Sequence, residues 1–187
     1  HNVKVAHVEA GLRSFDSSMP EEVNRIATDK ISDLLFVTEV AGIQNLQNED
    51  VPGKRYFVGN VMIDTLIQHL DRATALNVAQ RYDLEEKKYV VSTFHRPSNV
   101  DSLETLENLL GTIEMVTGLV EMVLPLHPRT LATITRFGLL ERLQGIKQLR
   151  LIEPLGYLEF IGLVASSMAV ITDSGGIQEE TTYLQVP

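Results

Sequence analysis

Short apolar runs alternate with amphipathic stretches along the chain. Val3–Val8 reads as a strand, and Pro20 then stands at the first position of a helix running to about Ile31. Glu21 and Glu22 fall in that helix's first turn, where the macrodipole favours acids. Leu34–Thr38 is a second strand, Ala41–Gln47 a helix, and Arg55–Val58 a third strand that ends at Gly59-Asn60. Met62, Ile63, Leu66, Ile67 and Leu70 recur at helical spacing and predict one helix over Val61–Arg81. The charged run Glu85–Lys88 follows, so this helix reads as a connector between domains. A fresh series then starts: strand Tyr89–Thr93, helix Ser102–Thr117, strand Met122–Leu126 and helix Thr130–Leu143. Asp101 and Glu104 read as a capping box for its first helix. Strand Leu149–Ile152, helix Gly156–Ser166, strand Met168–Thr172 and helix Gly175–Leu184 complete it. Strands alternating with helices predict an α/β protein with parallel sheets. Chemistry in such sheets gathers at the C-terminal ends of the strands.

Composition narrows the classes. The chain has 187 residues, 44% of them hydrophobic, which suffices for one full core or two small ones. Lys and Arg number 16 against 25 Asp and Glu, a formal charge of −9, so a nucleic-acid surface is not expected. There is no cysteine, which excludes disulfides and thiolate metal sites. No apolar run approaches the roughly 20 residues of a membrane span. A cytoplasmic protein without a membrane partner is the expectation. The chain opens at His1, directly before a strand, and closes at Pro187 after a helix. It reads as an internal piece of a larger protein.

Polar residues crowd the ends of several strands. His7, Glu9 and Arg13 follow the first, and Glu21, Glu22, Asn24 and Arg25 follow Pro20. Two carboxylates near a His and an Arg are candidates for acid/base work. Helix-dipole complementation alone also accounts for Glu21 and Glu22, an ion pair accounts for Glu9 and Arg13, and His7 can be a core histidine. After Met168–Thr172 comes Asp173-Ser174-Gly175-Gly176-Ile177-Gln178-Glu179-Glu180. Strand, Ser-Gly-Gly, then helix is a phosphate-binding arrangement, because glycines admit an oxyanion close to the free N–H groups of the helix start. Glu180 lies within reach of a ribose hydroxyl. The simpler reading leaves Ser174 as a helix cap and the glycines as a turn. His95-Arg96 ends the strand Tyr89–Thr93, and His127 sits between prolines after the next one. Each suits a phosphate or a proton transfer, and each also suits a purely structural role. Asn60 and Asp64 are candidates for holding the domain junction.

Seven motifs stand in order: His7–Ser14, Pro20–Arg25, Val58–Asp64, Thr93–Arg96, Pro125–Pro128, Glu153–Phe160 and Thr172–Glu180. Together they resemble the non-hydrolysing UDP-N-acetylglucosamine 2-epimerases of bacteria and archaea. The resemblance implies two Rossmann-like domains in a glycosyltransferase-B-like arrangement, without the N-terminal part and the C-terminal end. Residues 1–66 would be the back half of the first domain with the start of the linker helix. Residues 67–187 would be most of the second, UDP-binding domain. It implies interconversion of UDP-GlcNAc and UDP-ManNAc through 2-acetamidoglucal, supplying ManNAc for cell-surface polysaccharide. No cofactor and no metal are implied, and a homodimer is expected.

By this resemblance Glu9 and Glu21 are the acid/base and sugar-orienting carboxylates, and His95 lies near the leaving diphosphate. Ser174, Gly175 and Gly176 form the diphosphate turn, and Glu180 binds ribose. Leu155 and Phe160 contact uracil. Arg13, Arg96 and His127, from their places after strands, are further substrate-binding candidates. Pro97-Ser98-Asn99 stands where many relatives carry Arg-Glu-Asn, so Ser98 replaces an acid. A further acidic candidate, part of an activating UDP-GlcNAc site and a downstream Arg are expected outside His1–Pro187, so the chain alone should be inactive. A hydrolysing epimerase and a UDP-sugar transferase of the same architecture remain open alternatives, as does an inactive UDP-sugar-binding module.

Overall fold

The computed structural model describes residues 3–187. They form two compact units that divide between Thr65 and Leu66, inside one helix. Among the described residues, no helix is long and apolar enough to cross a membrane.

The first unit is a three-stranded parallel sheet in the order β1 (Ala6–Val8), β2 (Leu34–Val37), β3 (Lys54–Phe57), with α1 (Pro20–Ile31) and α2 (Val40–Asn48) between the strands. The first strand is shorter than the predicted Val3–Val8. The Val5 N–H is taken by the Asp33 carboxylate at 2.8 Å, and Val3 is exposed. A small core of Ala10, Leu35, Val37, Leu46 and Val51 lies beneath the sheet. Gly11 (φ +82°) meets α2 so closely that a Cβ there would lie 2.4 Å from the Gly42 carbonyl oxygen.

Helix α1 inverts the usual pattern. Its buried residues are Glu22 and Asp29, while Val23 and Ile31 are exposed. Buried carboxylates need donors, and β1, the β1–α1 loop and α1 itself provide them. Asp29 lies 2.6 Å from His7 Nδ1 and 2.7 Å from Arg13 Nη1, and it accepts the Gly11 N–H. Glu22 accepts the N–H groups of Ser14 and Phe15, both at 3.0 Å, and pairs with Arg25. This unit is thus held as much by a charge network as by its few apolar residues.

The predicted helix over Val61–Arg81 is two helices, α3 (Val61–Ala75) and α4 (Val78–Arg81). Asn77 takes left-handed φ (+47°) between them and ends the first. Asn60 opens α3 as its cap, its side-chain oxygen accepting the Met62 and Ile63 N–H groups.

The second unit is a four-stranded parallel sheet, β6–β5–β4–β7, built from β4 (Tyr89–Thr93), β5 (Glu121–Pro125), β6 (Leu149–Ile152) and β7 (Ala169–Thr172). Residues alternate between its two faces. Val90, Met122 and Leu124 pack beneath α6 (Leu103–Thr117) and α7 (Pro128–Arg136) with Leu106, Leu110 and Ile134. Tyr89, Val91 and Val123 pack on the other face with Val78 and with Leu163 of α9 (Tyr157–Ala165). Both faces are covered, as a parallel sheet requires.

Two further expectations are corrected here. The stretch predicted as one helix over Thr130–Leu143 breaks at Gly138 (φ +72°) into α7 and α8 (Leu140–Gln144). The cap of α6 is Ser102, which accepts the Thr105 N–H. Asp101 instead pairs with Arg129, so the Asp101–Glu104 capping box does not form. A short helix α5 (Pro97–Val100) precedes α6, and α10 (Gly175–Leu184) follows β7.

The strand order places the chemistry. From β4 the chain moves outward to β5 and β6, then returns through α9 to the other side of β4 as β7. The connections leaving β4 and β7 diverge, which opens a crevice at the strand ends. Thr93 pairs with Thr172 across this junction, their hydroxyls 2.7 Å apart.

Candidate active site

The crevice at β4 and β7 is a cleft of about 240 Å³ bordered by Phe94, His95, His127, Leu155, Phe160 and Ser174. Five of the sequence-predicted residues therefore converge in one place. Leu155 and Phe160 make one wall apolar, suited to a flat base. His95, His127 and Ser174 make the rest polar. A larger hollow of about 430 Å³ lies at the opposite end of the strands, between Gln80–Glu86 and Ala165-Ser166, and contains none of the candidate residues.

Ser174 caps α10, its hydroxyl accepting the Ile177 N–H. The N–H groups of Gly175 and Gly176 follow in the first turn, where no intrahelical acceptor exists for them. Nothing lies within 4 Å of where a Cβ on Gly175 would stand, and its φ is not in the left-handed region. Neither packing nor backbone conformation demands glycine here. The open space borders donors that suit an oxyanion.

Asp173, between β7 and this turn, organises the opposite rim. In the sequence it stands inside the Thr172–Glu180 motif, with no role of its own assigned. Its carboxylate accepts the Arg96 N–H at 2.9 Å, the His95 N–H at 3.0 Å and Asn99 Nδ2 at 3.0 Å, and lies 2.7 Å from His95 Nδ1. Burial pushes this carboxyl up. The donors from Arg96, Asn99 and His95 outweigh burial and hold it below the usual aspartate range. An ionised carboxylate can only accept, so His95 Nδ1 carries the proton and Nε2 remains for a ligand. Arg96 spends Nε on the Asp173 carbonyl at 2.7 Å. His127 caps α7, its Nδ1 taking the Arg129 N–H, with the ring exposed. The signal for Asp173 was present: an acid just after a strand, one residue before a helix cap. Its partners lie 74 to 78 residues away and appear only when β4 and β7 pair.

Glu180 is buried at 7% exposure, with the Tyr157 hydroxyl 2.9 Å from its Oε1. Burial pushes its carboxyl up.

In the first unit Glu9 occupies a left-handed conformation (φ +65°) directly after β1. Such strain in a non-glycine residue is tolerated where the surroundings fix it, and here Gly11 and the Asp29 network do so. Glu21 is exposed on α1, and its neighbour Glu22 points inward. The Ser14 N–H, with those of Phe15 and the Arg25 charge, outweighs burial and holds the Glu22 carboxyl below the usual range. Arg13 departs from expectation. Its side chain is 1% exposed, forked onto both oxygens of Glu49 at 2.7 Å and paired with Asp29. Its acid partners are Glu49 and Asp29, not Glu9. Among the described residues no group of His, Asp and Glu is arranged to hold a metal ion.

The model of the UDP-N-acetylglucosamine 2-epimerase family matches residues 1–187. A UDP-N-acetylglucosamine 2-epimerase homolog of Methanococcus maripaludis is 42% identical over all of this chain and 52% of its own length. A UDP-2,3-diacetamido-2,3-dideoxy-D-glucuronate 2-epimerase of Pseudomonas aeruginosa is 40% identical over all of this chain and 51% of its own length. The crystal structure of the Methanocaldococcus jannaschii UDP-GlcNAc 2-epimerase with UDP-GlcNAc and UDP superposes with a TM-score of 0.88. It is 40% identical, over 98% of this chain and 52% of that one. The chain spans about half the length of the curated relatives it matches. Motif order, parallel α/β units and a full-length family match lead to one conclusion: the chain belongs to the UDP-N-acetylglucosamine 2-epimerase family.

Proposed function

We propose that this polypeptide acts in the interconversion of UDP-GlcNAc and UDP-ManNAc, by the non-hydrolysing route. The observation that carries the reading is the cleft at β4 and β7. An apolar wall, an aspartate-oriented histidine and an open helix N-terminus meet there, and each suits a different part of a uridine diphosphate.

In the reaction a base removes the C2 proton and the C1–oxygen bond to UDP breaks on the opposite face. This leaves 2-acetamidoglucal and UDP. The UDP oxygen then re-adds to C1 while C2 takes a proton on its other face. The cleft must therefore hold UDP while it is detached. The Gly175 and Gly176 N–H groups receive the diphosphate, and His95 donates to it from Nε2 in its doubly protonated form, with Arg96 and His127 beside them. Phe160 and Leu155 take uracil and Glu180 takes ribose. Glu9 and Glu21 provide acid/base and orienting groups for the sugar. The product suits the supply of ManNAc units to cell-surface polysaccharide.

Incubation of the full-length natural protein with UDP-GlcNAc in D₂O tests this. Deuterium should enter C2, and UDP-ManNAc should accumulate to a fixed ratio. Irreversible release of free ManNAc would identify the hydrolysing reaction instead. Two relatives of nearly equal identity carry different sugar names, so UDP-2,3-diacetamido-2,3-dideoxyglucuronate is assayed in parallel. Exchange with that sugar alone would overturn the substrate, and no exchange with either would overturn the reading.

A further inference from the structure

Tyr157 is the first residue of α9, and its hydroxyl donates to Glu180 Oε1 on α10 at 2.9 Å. It is the one hydrogen-bond donor to Glu180 among the described residues. A carboxylate offers about four acceptor positions. This one is 7% exposed and has a single position filled. Burial pushes its carboxyl up, and Glu179 adds to the shift. A buried carboxylate short of donors is unfavourable for the fold. It persists where a ligand brings the missing donors. Glu180 lies one helical turn beyond Ile177, which borders the cleft, so the two share a helix face.

Tyr157 is suited to hold that carboxylate. Its ring stands edge-on to His69 of α3, centroids 6.5 Å apart at 79°. Burial and the neighbouring Glu180 push its hydroxyl up to about 12, so it remains a donor at any physiological pH. With Oε1 occupied from this side, Oε2 is the oxygen available to a vicinal diol.

We propose that Tyr157 is a positioning residue for ribose recognition: its hydroxyl fixes the Glu180 carboxylate so that the free oxygen accepts the 2′ and 3′ hydroxyls of the nucleotide. This rests on the nucleotide-sugar reading of the cleft. The test is titration calorimetry of UDP and of 2′,3′-dideoxy-UDP against the native polypeptide, Tyr157→Phe, Glu180→Gln and the double variant. Native protein should prefer UDP by about 30-fold, two hydroxyl contacts to one charged group. Tyr157→Phe should weaken UDP by about 10-fold and leave dideoxy-UDP unchanged. Added to Glu180→Gln, it should have little further effect. Tyr157 is 41% exposed and phenylalanine keeps its ring, so the variant should melt as the native protein does. Equal weakening of both ligands, an unchanged preference for UDP, or additive effects in the double variant would overturn the proposal. A native protein that binds UDP without preferring it to the dideoxy form would overturn it and leave the UDP reading standing. A native protein that binds neither would overturn both.

Discussion

Asp173→Asn separates the two jobs of one carboxylate. The Arg96 and His95 N–H groups and Asn99 Nδ2 converge on Oδ2, and His95 Nδ1 meets Oδ1 at 2.7 Å. An asparagine can keep its oxygen at the Oδ2 position and still tether the loop. Neutral acceptors are roughly half as strong as charged ones, so about 1 kcal/mol of stability is lost, some 2–4 °C in Tm for a chain of this size. Its NH₂ group then faces His95 Nδ1, which must turn from donor to acceptor, and Nε2 becomes the protonated nitrogen. The imidazolium form also loses its anionic partner. One charge-assisted bond of about 1.5–3 kcal/mol corresponds to roughly 10- to 100-fold in kcat/KM. Calorimetric melting and C2 exchange, measured across pH, read the two effects apart. The native carboxyl is held below the usual aspartate range. Its contribution to stability is therefore full above pH of about 5 and is lost only as pH falls through its lowered value. Over pH 6 to 8 the Tm gap should therefore be constant. In a His95→Gln background the substitution should reduce activity little further. Unchanged kcat/KM, or an equal loss in that background, would refute the assignment of His95 orientation to Asp173.

Arg13→Lys should fail by stability, because a lysine cannot fork onto Glu49 while pairing with Asp29, and unpaired buried charge costs about 3–5 kcal/mol. A normal Tm with a raised KM for UDP-GlcNAc would instead identify Arg13 as a substrate contact. Gly175→Ala meets open space, so Tm should hold or rise slightly, while UDP binding drops by about 10- to 100-fold through the intruding methyl. Equal affinity for UDP would remove the helix N-terminus from the diphosphate site. Glu180→Gln should raise Tm. The native carboxyl is pushed up by burial, so the folded state retains a proton that the unfolded chain releases near its ordinary value of about 4.3. Native stability thus falls as pH rises from there through the raised value, and the advantage of the glutamine variant, about 1 kcal/mol, should be complete above it. A constant advantage from pH 3 to 8 would show that ionisation is not the cause.

The strands and helices that the sequence predicted without error share a physical feature. Tyr89–Thr93 and Leu149–Ile152 are short apolar runs between strong breakers in a sheet covered on both faces, and Gly175–Leu184 starts at a serine cap. The helix breaks were less legible. Gly138 stood in plain view inside an apolar pattern, whereas Asn77 takes a left-handed conformation that apolar spacing cannot announce. The site residues show the same division. Ser-Gly-Gly and His95 were readable because local order alone brings them to strand ends, whereas Leu155 and Phe160 rested on the family resemblance. The partners of Arg13 were not legible, because Glu49 and Asp29 come around it only once the β1–α1 loop has folded.

Glu21 and Glu22 share the first turn of α1, yet neighbours on a helix lie about 100° apart and cannot share a face. Which one turns inward depends on the loop, and the loop presents two adjacent N–H groups, Ser14 and Phe15, to Glu22. Asp173 does the same for His95 and Arg96 in the other unit. In both units one buried carboxylate clasps two consecutive N–H groups, and a candidate catalytic side chain, Glu21 or His95, stands exposed beside it. Both clasping carboxyls are held below their usual range. Acid should therefore release these two loops together, as pH falls through those lowered values, while Tyr89, Leu106 and Met122, which are fully buried and uncharged, still hold the second sheet. Amide hydrogen exchange followed from pH 6 down to 3 should lose protection at Ser14, Phe15, His95 and Arg96 before β4 and β5. Simultaneous loss throughout would mean that the loops melt with the core and that the clasps add no local order of their own.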